Sequence, residues 1–238
     1  IEDERFLFLC DTEGLLVWAE YPATYEFNDR AISAIATEWL EAVRQQYNHP
    51  CVIAWVPFNE SWGIPNVYTD KLQQRFTEGI YYLTKAFDAM RPIMCNDGWE
   101  HTCSDIVTVH DYDGCVERVN DRYKNDMKDI LDNKIAPTNY RFVMAKGYEY
   151  QGQPIVVSEY GGFKLAGTEG WGYDGEAKDA EDLVRKYDEI TSAYKKMEKV
   201  CGFCYTQLTD VYHETNGLMS FDRTPKVPLK EIKKINER

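Results

Sequence analysis

The chain has 238 residues, of which 44% are hydrophobic and 14% aromatic, a composition typical of a folded protein with a substantial core. Its 40 Asp and Glu outnumber its 27 Lys and Arg, which leaves a formal net charge of −13. This excess of negative charge argues against a nucleic-acid partner, because phosphates are neutralised by Lys and Arg. No run of about 18 apolar residues occurs, so we expect no membrane span and no membrane partner.

Hydrophobic periodicity predicts strands and helices in alternation along the chain. In order, the predicted elements are the end of a helix at residues 1–14, a strand at 15–20, a helix at 32–43 capped by Asp29, a strand at 52–58, a helix at 68–87, strands at 92–95 and 105–110, one helix within 123–131, a strand at 154–158, a helix at 183–197, a strand at 202–206 and a short helix at 229–235. Residues 114–150 are the least regular part of the chain. Such alternation indicates an α/β fold with a parallel sheet and helices outside it. Because polar residues follow several strands and no GxGxxG or P-loop is present, a (β/α)8 TIM barrel is favoured over an open sheet.

The number of predicted strands is smaller than a barrel requires. Six are found where a closed barrel has eight, and the chain opens inside a helix. Either two strands lie within the irregular residues 114–150, or the sequence begins partway through its barrel.

The seven cysteines are an odd number, so at least one has no partner within the chain. Five of them lie in or beside apolar runs, where a free cysteine behaves as a small hydrophobe: Cys10, Cys51, Cys95, Cys201 and Cys204. Cys201 and Cys204 have CxxC spacing, but they lie in a predicted strand with no second CxxC. We therefore expect core residues there rather than a metal or redox site.

Two carboxylates follow predicted buried strands. The apolar run at residues 52–58 leads into Asn59-Glu60, and the run at 154–158 leads into Glu159. Enzymes with a (β/α)8 barrel have their catalytic residues at the carboxyl ends of the barrel strands. Either glutamate alone could be an ordinary loop carboxylate. Together they fit hydrolysis of a glycosidic bond, which needs one carboxylic acid to protonate the leaving oxygen and one carboxylate to attack or to activate water.

Other chemistries fit this sequence less well. A serine nucleophile would need a histidine partner, and no GxSxG is present. The four histidines include no HExxH. Asp97, His101, His110 and Asp111 could gather at a metal, but their spacing is not a recognised ligand pattern. We therefore predict no metal and no cofactor.

Three segments resemble the barrel domain of glycoside hydrolase family 2, which contains β-galactosidases, β-glucuronidases and β-mannosidases. They are Trp55-Val-Pro-Phe-Asn-Glu-Ser-Trp-Gly63, Val157-Ser-Glu-Tyr-Gly-Gly162 and Asn216-Gly-Leu-Met-Ser-Phe-Asp-Arg-Thr-Pro-Lys226. The resemblance covers nearly the whole chain and implies that Glu60, after strand four, is the general acid/base and that Glu159, after strand seven, is the nucleophile. Residues 1–238 would then hold strands three to eight, with strands one and two and the β-sandwich domains of the parent protein upstream.

The same resemblance implies roles for further residues. Asn59 would hydrogen-bond the sugar 2-hydroxyl, and Tyr112 would hydrogen-bond the nucleophile. The remaining predicted substrate-binding residues are Trp62, Trp99, His110 and Tyr205. For the tyrosine and the tryptophans, packing among loops is the alternative. Trp171 and Tyr173 either shape an outer subsite or pack within their loop.

One departure from the family concerns the sugar. Many members place a tryptophan at the end of strand eight, where this chain has Tyr205-Thr-Gln207. Glucuronide cleavage would favour a cationic group for the carboxylate, and neither Lys164 nor Arg118 is marked out for it. We therefore expect a neutral, β-galactoside-like substrate, with a β-glucuronide or β-mannoside as the alternative.

The expected activity is that of a retaining β-glycosidase acting on a carbohydrate substrate. Glu159 attacks the anomeric carbon while a protonated Glu60 assists the leaving group, and Glu60 then activates water. The alternative from another class is a non-catalytic carbohydrate-binding barrel, although binding alone does not need both carboxylates. The sequence leaves open a homo-oligomer and does not choose between a bacterial cytoplasm and a periplasm.

Overall fold

The computed structural model describes residues 1–138 and 140–238. Asn139, in the irregular region predicted at residues 114–150, lies outside the described residues. The helices are α1 (Glu4–Glu13), α2 (Asp29–Gln46), α3 (Lys71–Phe87), α4 (Val116–Asn120), α5 (Met127–Leu131), α6 (Ala180–Tyr194) and α7 (Leu229–Glu237). The strands are β1 (Val17–Glu20), β2 (Val52–Val56), β3 (Val107–Asp111), β4 (Ile155–Gly161), β5 (Lys164–Leu165), β6 (Glu176–Ala177) and β7 (Val200–Thr206). The predicted alternation of strands and helices is confirmed.

The described chain divides into two compact units, each built from two segments. The first comprises Ile1–Val109 and Ile130–Pro154, and the second comprises His110–Asp129 and Ile155–Arg238. Each unit is described below by itself.

In the first unit, β1 and β2 pair in parallel, with Val17 opposite Val52 and Glu20 opposite Val56. β2 is almost wholly buried because its residues are apolar and β-branched or aromatic at nearly every position. Helices α2 and α3 belong to the same unit, and the Trp39 indole donates to the hydroxyl of Thr84 at 2.8 Å. The core of this unit is therefore built around β2 and the inner faces of these two helices.

The helix starts differ from the predictions by small amounts. Asn28, rather than Asp29, caps α2, and its side chain accepts a hydrogen bond from the amide of Ala31. Asn and Asp both cap helices well. Which of two adjacent residues is the cap depends on which one has the extended backbone of a cap residue, and the sequence does not decide that. The expectation that the chain opens inside a helix is wrong, because Asp3 caps α1 through the amide of Arg5.

The strand predicted at residues 92–95 is reduced to one bridge between Trp55 and Ile93. On the side away from Trp55, the amide of Ile93 donates to Asp105 at 2.9 Å, and the amide of Cys95 donates to Ser104 at 2.8 Å. Because side chains take these amides, the segment does not extend into a ladder with a further strand.

In the second unit, β4 and β7 pair in parallel, with Ile155 opposite Val200 and Gly161 opposite Thr206. Asp179 caps α6 through the amide of Asp182. An aromatic cluster lies between the strands and α6, and its rings are Tyr160, Tyr187, Tyr194, Phe203 and Tyr205. The single helix predicted at 123–131 is instead α4, a π-helical turn at Asp121–Asn125 and α5.

The prediction that Cys201 and Cys204 are core residues is wrong, since both are exposed. They lie on β7, and every residue of this strand is at least partly exposed. An apolar strand at the edge of a sheet keeps more exposure than a central one, and sequence pattern alone does not separate the two cases. Within residues 1–138 and 140–238, no helix combines the length and apolar character needed to cross a bilayer.

Candidate active site

Glu60 lies in a tight turn that follows β2. Both Glu60 and Ser61 have left-handed backbone, with φ of 51° and 60°. Residues other than glycine rarely adopt this conformation, so surrounding contacts must hold it. The amide of Glu60 donates to the carbonyl of Asp97 at 2.9 Å, and the amide of Asp97 donates to the carbonyl of Phe58 at 2.8 Å. The backbone of this turn is thus tied on both sides to the segment that follows Ile93.

A buried polar network fixes Ser61, directly after Glu60. The Ser61 amide donates to Asn96 Oδ1 at 2.9 Å, and its hydroxyl donates to Glu100 Oε2 at 2.6 Å. Asn96 Nδ2 donates to that hydroxyl at 3.0 Å. Glu100 is 3% exposed and pairs with Arg141 at 3.0 Å. Hydrogen-bonded buried groups of this kind stabilise one conformation of a turn.

Three other predicted site residues lie in the same unit. The Asn59 side-chain oxygen is buried and has no hydrogen-bond partner among the residues that the structure describes. Trp99 is buried, with the Arg141 guanidinium 5.8 Å from its ring centre. Trp62 is half exposed and meets the Tyr25 ring edge to face at 5.4 Å. Their sugar-binding roles stay predictions, and of the two tryptophans only Trp62 offers an open ring.

Glu159 lies within β4 in the second unit. One of its oxygens, Oε2, accepts a short hydrogen bond from the Tyr112 hydroxyl. The Nδ1 atom of His110 lies 3.3 Å from the same oxygen, and His110 is fully buried. The predicted contact between Tyr112 and Glu159 is therefore present. Burial, and then the neighbouring Glu159 carboxylate, raise the pKa of Tyr112, so the hydroxyl keeps its proton and remains a donor.

Aromatic packing holds Tyr112 in place. Its ring stacks on Tyr173 with ring centres 3.5 Å apart, and the Trp171 ring packs edge-on against Tyr173 at 5.3 Å. A Cβ atom on Gly162 would come within 2.6 Å of Tyr173, so this position requires glycine. Tyr173 thus supports the tyrosine that contacts Glu159, and the choice between an outer subsite and loop packing for Trp171 and Tyr173 stays a prediction.

Tyr205 lies in the aromatic cluster of the second unit. Its ring contacts Tyr160 and Tyr187, with ring centres 5.4 Å and 4.8 Å away. Its ring also passes over Gly161, where a Cβ atom would lie 2.2 Å from it. These contacts give Tyr205 a packing role, and its sugar-binding role stays a prediction.

The two cations considered for a substrate carboxylate are both paired. Lys164 lies 2.8 Å from Glu176, and Arg118 lies 2.6 Å from Asp113. Two of the residues that were considered and set aside as metal ligands are also engaged within their own units. His101 contacts the hydroxyl of Ser104 at 2.7 Å, whereas Asp111 and Arg122 form an ion pair at 2.5 Å.

A different set of ligand-type atoms occurs in the first unit, on Asp11, His49 and Cys51. These atoms lie within 4.8 Å of one another. Asp11 already accepts the amide of Cys51 and contacts the His49 ring at 2.7 Å. These bonds account for the cluster without an ion.

Sequence reasoning missed the network formed by Ser61, Asn96, Glu100 and Arg141. One signal could have found Asn96, because it directly follows the strand-like residues 92–95, as Glu60 follows β2. No local pattern marks Glu100, which meets Ser61 from 39 residues away.

Comparisons with known proteins agree with the resemblance in the sequence. The family model described as "Glycosyl hydrolases family 2, TIM barrel domain" matches residues 2–238. A β-glucuronidase from an uncultured Clostridium species is 19% identical, with a TM-score of 0.69 over 99% of this chain. A family 2 β-galacturonidase from Eisenbergiella tayi, solved bound to galacturonate, is 20% identical, with a TM-score of 0.71 over 98% of this chain. At these identities the structural likeness shows a common fold.

A curated protein of Formosa agariphila, named only provisionally as a β-glucuronidase, is 30% identical over an alignment of 89 residues that covers 32% of this chain. The chain spans 10% of that relative. It spans 42% of the Clostridium chain and 43% of the Eisenbergiella chain.

Proposed function

Because the chain belongs to the TIM barrel domain of glycosyl hydrolase family 2, we propose that it carries the catalytic residues of a retaining β-glycosidase that releases terminal β-linked sugars. The observation that carries this proposal is the setting of Glu159, whose Oε2 atom is held by the Tyr112 hydroxyl and lies beside buried His110. A carboxylate oriented by two side chains at the end of a barrel strand suits a nucleophile.

The proposed reaction has two steps. In the first, Glu159 attacks the anomeric carbon and Glu60 gives a proton to the departing oxygen. In the second, Glu60 takes a proton from water, which attacks the anomeric carbon and releases the sugar from Glu159 with its configuration retained. Tyr112 donates a hydrogen bond to Glu159 throughout and so keeps the attacking carboxylate in one orientation.

A neutral, β-galactoside-like sugar is the proposed substrate. The support for it is that Lys164 and Arg118 are engaged by Glu176 and Asp113. Using either cation to bind a substrate carboxylate would break an existing pair. A β-linked uronide is the second candidate. The names of the similar proteins favour it, because they are those of β-glucuronidases and a β-galacturonidase.

Hydrolysis of nitrophenyl β-glycosides by the purified protein tests the proposal and separates the candidates. Fastest release from the β-galactoside supports the neutral substrate, and fastest release from a β-glucuronide or β-galacturonide supports the second candidate. Release from none of a galactoside, glucuronide, galacturonide and mannoside would leave a non-catalytic carbohydrate-binding protein. The first-formed sugar, followed by proton NMR, is expected as the β-anomer, and an α-anomer would contradict retention.

The nucleophile is tested by Glu159→Gln, with the exposed Glu169→Gln as the matched control. Glu159→Gln should lower kcat at least about 1,000-fold because an amide cannot form the glycosyl ester. Glu169→Gln should leave kcat unchanged. Equal activity of the two variants would assign the nucleophile to another residue.

A further inference from the structure

Cys95 and Cys103 face one another in the first unit, although both are thiols in this structure. Their sulfur atoms are 3.4 Å apart. The Cys95 amide donates to the hydroxyl of Ser104, the residue after Cys103, at 2.8 Å. This bond holds the two backbone segments together. To form a disulfide, the two sulfur atoms would have to move closer to each other, but no helix or strand would have to move apart.

The two sulfurs differ in accessibility. Cys95 is fully buried, whereas Cys103 is partly exposed. Cys103 lines an open cavity of about 710 Å³, together with Tyr81, Tyr148 and Gln153. A small molecule entering this cavity would meet the sulfur of Cys103 first, with Cys95 directly behind it.

A hydrogen bond joins the two thiols. Burial opposes ionisation of Cys95, but hydrogen bonds from Cys103 and Thr102 lower its pKa. The hydrogen bond to Cys95, together with burial, raises the pKa of Cys103. Of the two thiols, the inner one, Cys95, is therefore the one that ionises first.

We propose that Cys95 and Cys103 form a reversible disulfide by exchange with a low-molecular-weight disulfide that enters through the cavity. Cys103 gives its proton to solvent in the cavity and attacks one sulfur of the oxidant, which breaks the S–S bond and releases one thiolate. Cys95 then gives its proton to the released thiolate and attacks the Cys103 sulfur, which releases the second thiolate. The protein loses two electrons, and the oxidant is reduced to two thiols.

The link would close a ring of nine residues, from 95 through 103. Asn96 lies inside this ring and holds the amide of Ser61, which follows Glu60. The disulfide therefore restrains the segment that supports the Glu60 turn. A ring of this size is expected to raise Tm by roughly 5 °C.

The test is incubation of the purified protein in glutathione buffers that range from reducing to oxidising, followed by alkylation and peptide mass spectrometry. Cys95, Cys103 and Cys115 share the tryptic peptide that ends at Arg118. Under oxidising conditions this peptide is expected to carry one alkyl group, on Cys115, and to lack two hydrogens. Three alkyl groups at every ratio would overturn the proposal.

A second test measures Tm under reducing and oxidising conditions. Cys201 and Cys204 are exposed thiols, so both are replaced by Ser in every protein that is compared. In this background, Cys115→Ser should retain the oxidation-dependent rise in Tm and Cys103→Ser should lose it. The same rise in Cys103→Ser would show that the effect does not come from the pair. Excess reduced glutathione should reverse the rise, and failure to reverse it would contradict an exchangeable disulfide.

Discussion

Glu60 and Glu159 both follow a buried run of apolar residues, yet the protein holds them in different ways. Glu60 lies in a turn with left-handed backbone, which is fixed through the amides of Glu60 and Ser61. Glu159 lies within strand β4, where the register with β7 shifts between Val157 and Tyr160, and Tyr112 and His110 contact its carboxylate directly. These contacts fix the backbone of the turn that carries Glu60 and one carboxylate oxygen of Glu159.

The difference matches the two proposed roles. A general acid/base gives up a proton and takes one back, so its carboxyl group must tolerate both protonation states. A nucleophile must present one oxygen in one direction, and fixed hydrogen bonds to its other oxygen achieve this. The contrast predicts that substitutions near the two residues will have different effects.

The largest effect after loss of the nucleophile is expected from Glu60→Gln. The amide cannot protonate the departing oxygen, so kcat/KM should fall about 100- to 10,000-fold for substrates with alkyl leaving groups. Activated nitrophenyl leaving groups need little protonation, and the loss should be smaller for them. An equal loss for both kinds of substrate, measured side by side, would contradict the acid/base role.

Tyr112→Phe removes a charge-assisted hydrogen bond to Glu159 and keeps the aromatic ring. Such a bond contributes about 1.5–3 kcal/mol, which corresponds to a fall in kcat of roughly 10- to 150-fold. Tyr173→Phe, which removes a neighbouring hydroxyl and keeps the stacked ring, is the matched control. Unchanged kcat in Tyr112→Phe would show that Glu159 is oriented by other contacts.

Glu100→Gln tests positioning through the main chain. Loss of the charge weakens the contacts with Ser61 and Arg141, so the free energy of unfolding should fall by about 1–3 kcal/mol. kcat should fall about 10-fold because the Glu60 turn loses support. The exposed Glu149→Gln is the control for urea unfolding and for kcat. Lower stability with full activity would mean that the turn holds Glu60 without this network.

The smallest effect concerns the stability at low pH that Asp88, in the first unit, contributes. Burial opposes its ionisation, but hydrogen bonds from Arg91 and Trp55 lower the pKa of Asp88 to about 2. Because its folded pKa lies below the value of 3.8 for an unperturbed side chain, its contribution to stability is present above pH 4 and is lost as the pH falls towards 2. It amounts to about 2 kcal/mol.

Melting curves between pH 6 and pH 2.5 test whether this contribution to stability is lost as the pH falls. Asp88→Asn should have a lower Tm at pH 6 and a flatter dependence of Tm on pH than the unmodified protein. The exposed Asp29→Asn should keep the original slope. An unchanged slope in Asp88→Asn would place the acid sensitivity elsewhere.

The sequence was sufficient for features that depend on local pattern. An apolar run followed by a polar residue correctly placed Glu60 beyond β2, and helical periodicity found α2, α3 and α6. Glu159 was expected directly after a strand at 154–158, but β4 continues to Gly161 and contains it. Tyr112 was assigned to Glu159 only through the family resemblance, and the structure confirms that contact.

Features that depend on exposure or on long-range contacts were not accessible in this way. Nothing in the sequence marks Glu100 as the partner of Ser61, because the two are 39 residues apart and both residue types are common on surfaces. Cys201 and Cys204 lie in an apolar run, but their strand is partly open along its length. The pairing of Cys95 with Cys103 depends on how Ser104 holds the backbone of Cys95.

The raised pKa of Tyr112 has a consequence for pH–rate measurements. A phenol that shares a buried site with a carboxylate does not ionise in the pH range where glycosidases are ordinarily assayed. The alkaline limb of a bell-shaped profile would therefore arise from a group other than this tyrosine. In Tyr112→Phe the midpoint of that limb should stay where it is while the plateau falls, so the height and the shape of the profile report on different residues.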